Sequence, residues 1–295
     1  MSSKPRSNSS LPHHTVHIIG LGWLGLPLAK QLHSAGMKVS GTVRSDEKRQ
    51  HLLCEGLDVD KFDLYSPFTS QYSDYKAKTK ERFLDANLVV NIPPGRSKFH
   101  PHKFIASMRN LIDTAMTAGL RKLIFISTTS VYGSQTGTIS NASALSPSTD
   151  SAKAHQDIEH HLQLNYPERY KILRPAGLVG PKLDGSPRHP IYTLYKKTNI
   201  PNGNDPVNLV HQADVIQAIE SLIVKETDGT AFNIAALEHP SRKEYYAWCA
   251  QTLKLKQLTF MQDTKKRQLG KLVDASETYK ALGIQAIYPS PFTML

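Results

Sequence analysis

Residues 16–25 read Val-His-Ile-Ile-Gly-Leu-Gly-Trp-Leu-Gly. Val16 to Ile19 is a short, apolar, β-branched run, which predicts a buried strand. Gly20, Gly22 and Gly25 follow with the spacing G-x-G-x-x-G. Leu24, Leu26, Leu28, Ala29 and Leu32 then predict a buried helix that ends at Gly36, a C-cap. Strand, glycine turn and helix in this order form a phosphate-binding arrangement. The first glycine permits the tight turn, the second lets the backbone approach a pyrophosphate, and the third lets helix and strand pack closely. The helix N-terminus adds unpaired N–H groups and a partial positive charge. Trp23 and Leu24 sit between the second and third glycines and join the predicted cofactor-binding set. The alternative is a glycine-rich turn that holds no ligand.

The next strand, Lys38 to Val43, selects the cofactor. An NAD site places Asp or Glu about 20 residues beyond the glycines, on the ribose 2′-hydroxyl. Here the strand end reads Ser40-Gly41-Thr42-Val43-Arg44-Ser45, with no carboxylate. Arg44 offers a guanidinium that grips a 2′-phosphate at two points. NADP is therefore expected ahead of NAD. Asp46 and Glu47 are the alternative groups within reach of the ribose, but they come after the arginine and start a helix that runs to Leu53.

Further strands are predicted at Leu57–Phe62, Asn87–Ile92, Lys122–Ile126 and Tyr170–Leu173. Phe104, Ile105, Met108, Leu111, Ile112, Ala115 and Met116 make a helical stripe, and Ser151 to Leu164 reads as another helix. Strands alternating with long crossovers predict a parallel, doubly wound α/β sheet with helices on both faces. Residues 177–208 are rich in Pro, Gly, Asn and charge and read as a long loop. Helices at Ala213–Val224 and Arg242–Leu253 build a small C-terminal lobe. The expected organisation is an N-terminal disordered arm over 1–14, a Rossmann domain over 15–175 and a mixed substrate lobe over 176–295.

The 295 residues are 39% hydrophobic and 21% charged, which suits one large domain, or a domain plus a small lobe. No apolar run approaches the roughly 18 residues of a membrane helix. The arm lacks the apolar stretch of a signal peptide. Two cysteines, Cys54 and Cys249, build neither a disulfide framework nor a four-cysteine zinc site, and a cytoplasmic protein is expected. The formal charge of +11 favours anionic ligands. Basic clusters such as Lys265-Lys266-Arg267 are short and lack interleaved aromatics, so a small phosphorylated ligand is expected rather than nucleic acid. His13-His14 and His160-His161 are poorly spaced for chelation, and no metal is expected.

The chain resembles the short-chain dehydrogenase/reductase superfamily, closest to its extended nucleotide-sugar epimerase/dehydratase type. The resemblance runs from Thr15 to the C-terminus. It rests on Asp63-Leu64, Asn87 to Pro94, Ser127-Thr128-Thr129-Ser130-Val131-Tyr132-Gly133, Leu173-Arg174-Pro175, Asn208 to Val215 and Phe232-Asn233-Ile234-Ala235. Ile19 stands where the extended group's G-x-x-G-x-x-G has its first glycine. The resemblance implies that Asp63 lies beside the adenine and that Ile92 and Pro93 pass the cofactor. It also implies a homodimer through helices near 101–119 and 151–164.

In this family a Tyr, and a Lys four residues later, share a helix face near a Ser or Thr. Thr128 falls at the Ser/Thr position and Lys153 at the lysine position, where it would hold the cofactor ribose. Thr149 stands where the Tyr would be, and it has a second reading as a helix cap. His155 is expected on another, solvent-facing side. Tyr132 is read as structural or as lining the cofactor site. With no phenol, the proton donor is expected among His189 and His211, with Arg188 and Asn208 binding an anionic substrate. Three functions compete: an NADP-dependent enzyme acting on a carbonyl, hydroxyl or sugar nucleotide; a non-catalytic dinucleotide sensor; and a nucleic-acid binder, which no motif supports.

Overall fold

The computed structural model describes residues 14–65, 80–94, 99–262 and 269–295. Most of the expected N-terminal arm and the Lys265-Lys266-Arg267 cluster lie outside the described residues. His14, counted in the arm, is buried just before the first strand.

A seven-stranded sheet carries the fold. Its strands are β1 (Thr15–Ile19), β2 (Lys38–Val43), β3 (Asp58–Lys61), β4 (Asn87–Val90), β5 (Lys122–Ile126), β7 (Tyr170–Pro175) and β11 (Ala231–Ile234). The order is β11-β7-β5-β4-β1-β2-β3, and every pairing is parallel. β1 pairs with β2 through Val16↔Val39 and with β4 through Val16↔Asn87. The chain order reverses between β1 and β4, and the crevice there is the expected ligand position of an open α/β sheet. β4 and β5 are buried along their whole length, as strands covered on both faces must be. The seventh strand comes from beyond residue 175, so the sheet does not end where the Rossmann domain was expected to end.

Helices α1 (Gly25–Ser34), α2 (Asp46–Cys54), α3 (Pro101–Thr117) and α4 (Asp150–Asn165) fill the crossovers. α1 buries Leu26, Leu28, Ala29 and Leu32 and stops where Gly36 turns to φ +84°. Ser45 caps α2 by accepting the Lys48 N–H, and Thr149 caps α4 by accepting the Ala152 N–H.

Residues 177–208 are not one loop. β8 (Gly177–Pro181) and β9 (Pro187–Arg188) form a hairpin, and α5 (Ile191–Leu194) follows. β8 also pairs in parallel with β10 (Leu209–His211). Partners across the chain supplied the order that local composition could not. α6 (Gln212–Val224), α7 (Arg242–Thr252) and α8 (Ser276–Leu282) follow, while β12 (Lys271–Val273) pairs with β6 (Gly137–Ile139). Around β8 and α7 a second apolar cluster gathers Val179, Ile191, Tyr245, Tyr246 and Cys249.

Candidate active site

The glycine turn stands at the carboxyl end of β1. Gly20 has φ +101°, and a Cβ there would lie 2.6 Å from the Asn91 carbonyl oxygen. A Cβ on Gly25 would lie 2.1 Å from the Gly20 oxygen. The chain itself therefore demands these two glycines. Gly22 differs: a Cβ there would meet nothing within 4 Å. Its missing side chain leaves open space above the backbone. The amides of Gly22, Trp23 and Leu24 donate to no group among the described residues. Unpaired N–H groups at a helix start, with open space over the Gly22 backbone, fit a dinucleotide pyrophosphate. Thr42 holds the turn from β2: Gly20 N–H donates to its Oγ1 (3.1 Å) and Leu21 N–H to its carbonyl (2.8 Å). Lys48 Nζ donates to the Leu21 carbonyl at 2.8 Å. Neither Thr42 nor Lys48 stands out in the sequence, because each acts through a contact more than twenty residues away.

Arg44 is exposed immediately after β2. Asp46, the nearest competitor for the ribose, accepts instead from Lys61 Nζ. Asp63 is exposed after β3 and accepts the Tyr65 N–H at 3.1 Å. Burial and then Asp63 push the Tyr65 phenol up, while Arg44 pulls it down, so these charges share one neighbourhood. Ile92 and Pro93 follow β4, and Ile92 approaches the Gly20 position. Thr128 follows β5, half-buried, and its Oγ1 accepts the Ser130 N–H at 3.1 Å. The predicted cofactor residues thus line the carboxyl edge of the sheet, with the exception of Lys153.

Lys153 requires a correction. It is exposed and lines a shallow polar depression with Gln156, His160 and Gln163. The side of α4 turned to the sheet is set by Glu159 and carries His155 and Ser151, one and two turns earlier. At about 100° per residue, Lys153 stands on the opposite side from His155. His155, expected in solvent, is buried between the rings of Phe104 and Phe125. Burial pulls its pKa down to about 4, and its Nδ1 has no partner.

Glu159 is 0% and Arg174 3% exposed. Arg174 Nη2 donates to Glu159 Oε2 at 2.7 Å, and its Nε reaches both carboxylate oxygens. Ser127 Oγ donates to Glu159 Oε1. Arg174 Nη1 donates to the Tyr132 hydroxyl at 2.7 Å, which donates to Asn233 Oδ1 at 2.8 Å. One network therefore ties β5, α4, β7 and β11 together. Tyr132, Arg174 and Asn233, conspicuous in the resemblance, serve this lock. Glu159 was legible in principle: a carboxylate on the apolar stripe of a helix must find a buried cation.

Of the expected substrate-side residues, Arg188 and His189 line a cleft of about 1020 Å³ together with Trp23, Leu178, Lys182 and Asp184, and His211 and Asn208 do not. Arg188 stacks over the Trp23 indole, 4.1 Å from the ring centroid. The histidines do not act as expected. His189 Nδ1 accepts the Ile191 N–H at 3.1 Å and its Nε2 pairs with the Tyr245 hydroxyl at 2.8 Å. Burial pulls it down to about 4. His211 Nδ1 accepts the Ala213 N–H at 3.2 Å, capping α6, and its ring lies 3.7 Å from that of Tyr288. Burial lowers it as well. A nitrogen that accepts an amide hydrogen carries no proton of its own, so both imidazoles are neutral and neither is an acid poised at pH 7. Asn208 is also corrected: its Nδ2 donates to the Lys271 carbonyl and its Oδ1 accepts the Val273 N–H, each at 2.8 Å. Its amide pins β12 rather than facing the cleft. Among the described residues no cluster of His, Cys, Asp and Glu could hold a metal ion, and no helix is long and apolar enough to cross a membrane.

Protein YeeZ of Escherichia coli K12 is 33% identical over 280 residues, covering 95% of this chain and 98% of that protein. The fold matches WbmG of Bordetella bronchiseptica, solved with NAD and UDP, at a TM-score of 0.75 and 20% identity over 98% of this chain and 94% of that one. It matches UDP-glucuronic acid 4-epimerase of Bacillus cereus, solved with NAD, at 0.72 and 17% identity over 95% of both chains. The family model described as NAD dependent epimerase/dehydratase matches residues 16–235. With a match of that extent and a glycine turn built for a dinucleotide, the chain belongs to the NAD-dependent epimerase/dehydratase family.

Proposed function

We propose that this protein is an NADP(H)-dependent enzyme acting on a carbonyl or hydroxyl of an anionic substrate, with a sugar nucleotide as the preferred class. The observation that carries this reading is the open amide turn at Gly22–Leu24 beside a cleft bounded by Arg188 and Lys182. Gly20, Gly22, Trp23, Leu24 and Gly25 would hold the pyrophosphate, Arg44 the 2′-phosphate, and Asp63, Ile92 and Pro93 the flanks of the cofactor. The dinucleotide, when bound, supplies hydride transfer. Arg188 and Lys182 hold the substrate anion, and Thr128 Oγ1 orients a substrate oxygen by hydrogen bonding. The absence of a strand-end carboxylate and the pairing of Asp46 with Lys61 support NADP over NAD.

The reading includes residues 15–175 as the cofactor portion and 176–295 as the substrate portion, β11 excepted. It includes a homodimer through α3 and α4, which Arg109–Asp157 and His161–Asp113 bind into one surface. Two free cysteines suit a reducing compartment, in keeping with the cytoplasm. The test is calorimetric titration with NADPH and NADH, then a panel of UDP-sugars and simple carbonyls followed by NADPH absorbance and product analysis. Tighter NADH binding, or turnover confined to uncharged substrates, contradicts the reading.

One observation favours the sensor reading: the sheet-facing side of α4 presents Ser151 and His155, not a phenol and an ammonium. Tight NADPH binding with no turnover across the panel would make it the better account.

A further inference from the structure

Trp23 belongs to two places at once. Its backbone lies in the glycine turn, between Gly22 and Leu24, where the amides donate to no group among the described residues. Its indole forms a wall of the cleft. Three groups from the C-terminal half hold it. Its Nε1–H donates to the Pro181 carbonyl at 2.6 Å, at the end of β8. The Arg188 guanidinium, on β9, lies 4.1 Å from the ring centroid. Gln212 Nε2, in the first turn of α6, donates to the Trp23 carbonyl at 2.6 Å. The β8–β9 hairpin is therefore fastened to the cofactor turn by a side chain that the turn itself supplies.

We propose that Trp23 is a positioning residue that couples occupancy of the glycine turn to the order of the β8–β9 hairpin, and so to the placement of Arg188 beside the cleft. This rests on the reading of the turn as a dinucleotide site. A pyrophosphate on the Gly22–Leu24 amides restricts the backbone that carries the indole. The restricted indole holds Pro181 and Arg188 in register. By linkage the relation is reciprocal: whatever orders the hairpin also tightens the turn around its ligand.

Hydrogen exchange of the full chain, with and without saturating NADPH, tests the coupling. In the wild type NADPH should slow exchange at residues 20–28, and also at 177–190 by about fivefold or more, the lower end of ordinary coupling factors. Trp23→Leu keeps the amides and should keep the slowing at 20–28, while slowing at 177–190 falls below about twofold. Trp23→Phe retains the ring under Arg188 but loses the Nε1–H, and should transmit an intermediate effect. Arg188→Gln should also weaken transmission, and it serves with Trp23→Phe if Trp23→Leu does not fold. NADPH binding with unchanged exchange at 177–190, or full transmission in the variants, overturns the proposal alone. Absence of any NADPH or NADH binding overturns the dinucleotide reading and this coupling with it.

Discussion

Substituting Glu159 by glutamine tests the buried network most directly. The change is nearly isosteric, so packing is preserved and only charge and hydrogen-bond polarity alter. In the wild type the carboxylate accepts from Arg174 Nε and Nη2 at 2.7–3.2 Å and from Ser127 Oγ. In Glu159→Gln one oxygen becomes an NH₂ facing donors, and the guanidinium, 3% exposed, loses its counter-charge. Removing one partner of a buried pair costs about 3–5 kcal/mol. For a chain of this size that lowers Tm by on the order of 10 °C. Urea unfolding at neutral pH measures it. Asp157→Asn, which breaks the Arg109 pair with side chains 41% and 36% exposed, is the control and should cost less than about 1 kcal/mol. Glu159→Leu combined with Arg174→Met should recover much of the loss, because no charge is then stranded. A Glu159→Gln cost no larger than the Asp157→Asn cost would refute the reasoning.

Arg44→Ala should weaken NADPH binding by about 10–100-fold, the worth of a charge-assisted contact, and leave NADH binding nearly unchanged; equal losses for both cofactors contradict the 2′-phosphate role. Gly22→Ala should leave stability unchanged, since its Cβ meets no atom within 4 Å, yet reduce affinity for either dinucleotide at least about tenfold by keeping the pyrophosphate from approaching the backbone. Gly25→Ala should instead destabilise the fold, because its Cβ would lie 2.1 Å from a backbone oxygen. The pH dependence follows from histidines buried neutral: His155 and His189 are pulled down to about 4 and His17 to about 3 by burial. The unfolded chain, with histidines near 6.5, binds more protons between those values and pH 6.5. Stability is therefore full above about 6.5 and declines as pH falls toward 4, by up to about 3 kcal/mol for each such histidine. His155→Phe, set beside Phe104 and Phe125, should flatten part of that decline in urea titrations, and an unaltered pH profile would contradict the buried-neutral assignment.

Much of this molecule is legible in its sequence. The strand at Val16–Ile19, the glycine turn and the first helix follow from residues within one local segment. So do the parallel strands, whose β-branched runs and long crossovers leave one economical topology. The absence of a carboxylate at the strand end before Arg44 and the cap at Thr149 are local facts too, because each depends on residues a few positions away. What the linear chain could not determine is which way a helix faces and which distant group a polar side chain meets. Lys153 and His155 differ by two positions and exchange places between solvent and core, because α4 turns Ala154, Ile158 and Leu162 into the core and Glu159 onto Arg174. His189 and His211 have the composition of proton donors, yet the amides of Ile191 and Ala213 hold their Nδ1 atoms as acceptors in neutral rings, and the remaining N–H of His189 is directed to the Tyr245 hydroxyl. Asn208 is claimed by Lys271 and Val273, more than sixty residues on. Trp23 reads as the variable residue of a glycine motif until the β8–β9 hairpin folds onto its indole, 158 residues away. Periodicity and turn chemistry act over one or two turns of chain and are written there. Desolvation, counter-charges and stacking arise only when distant segments meet, and these forces decide which of the candidate residues remain available for chemistry.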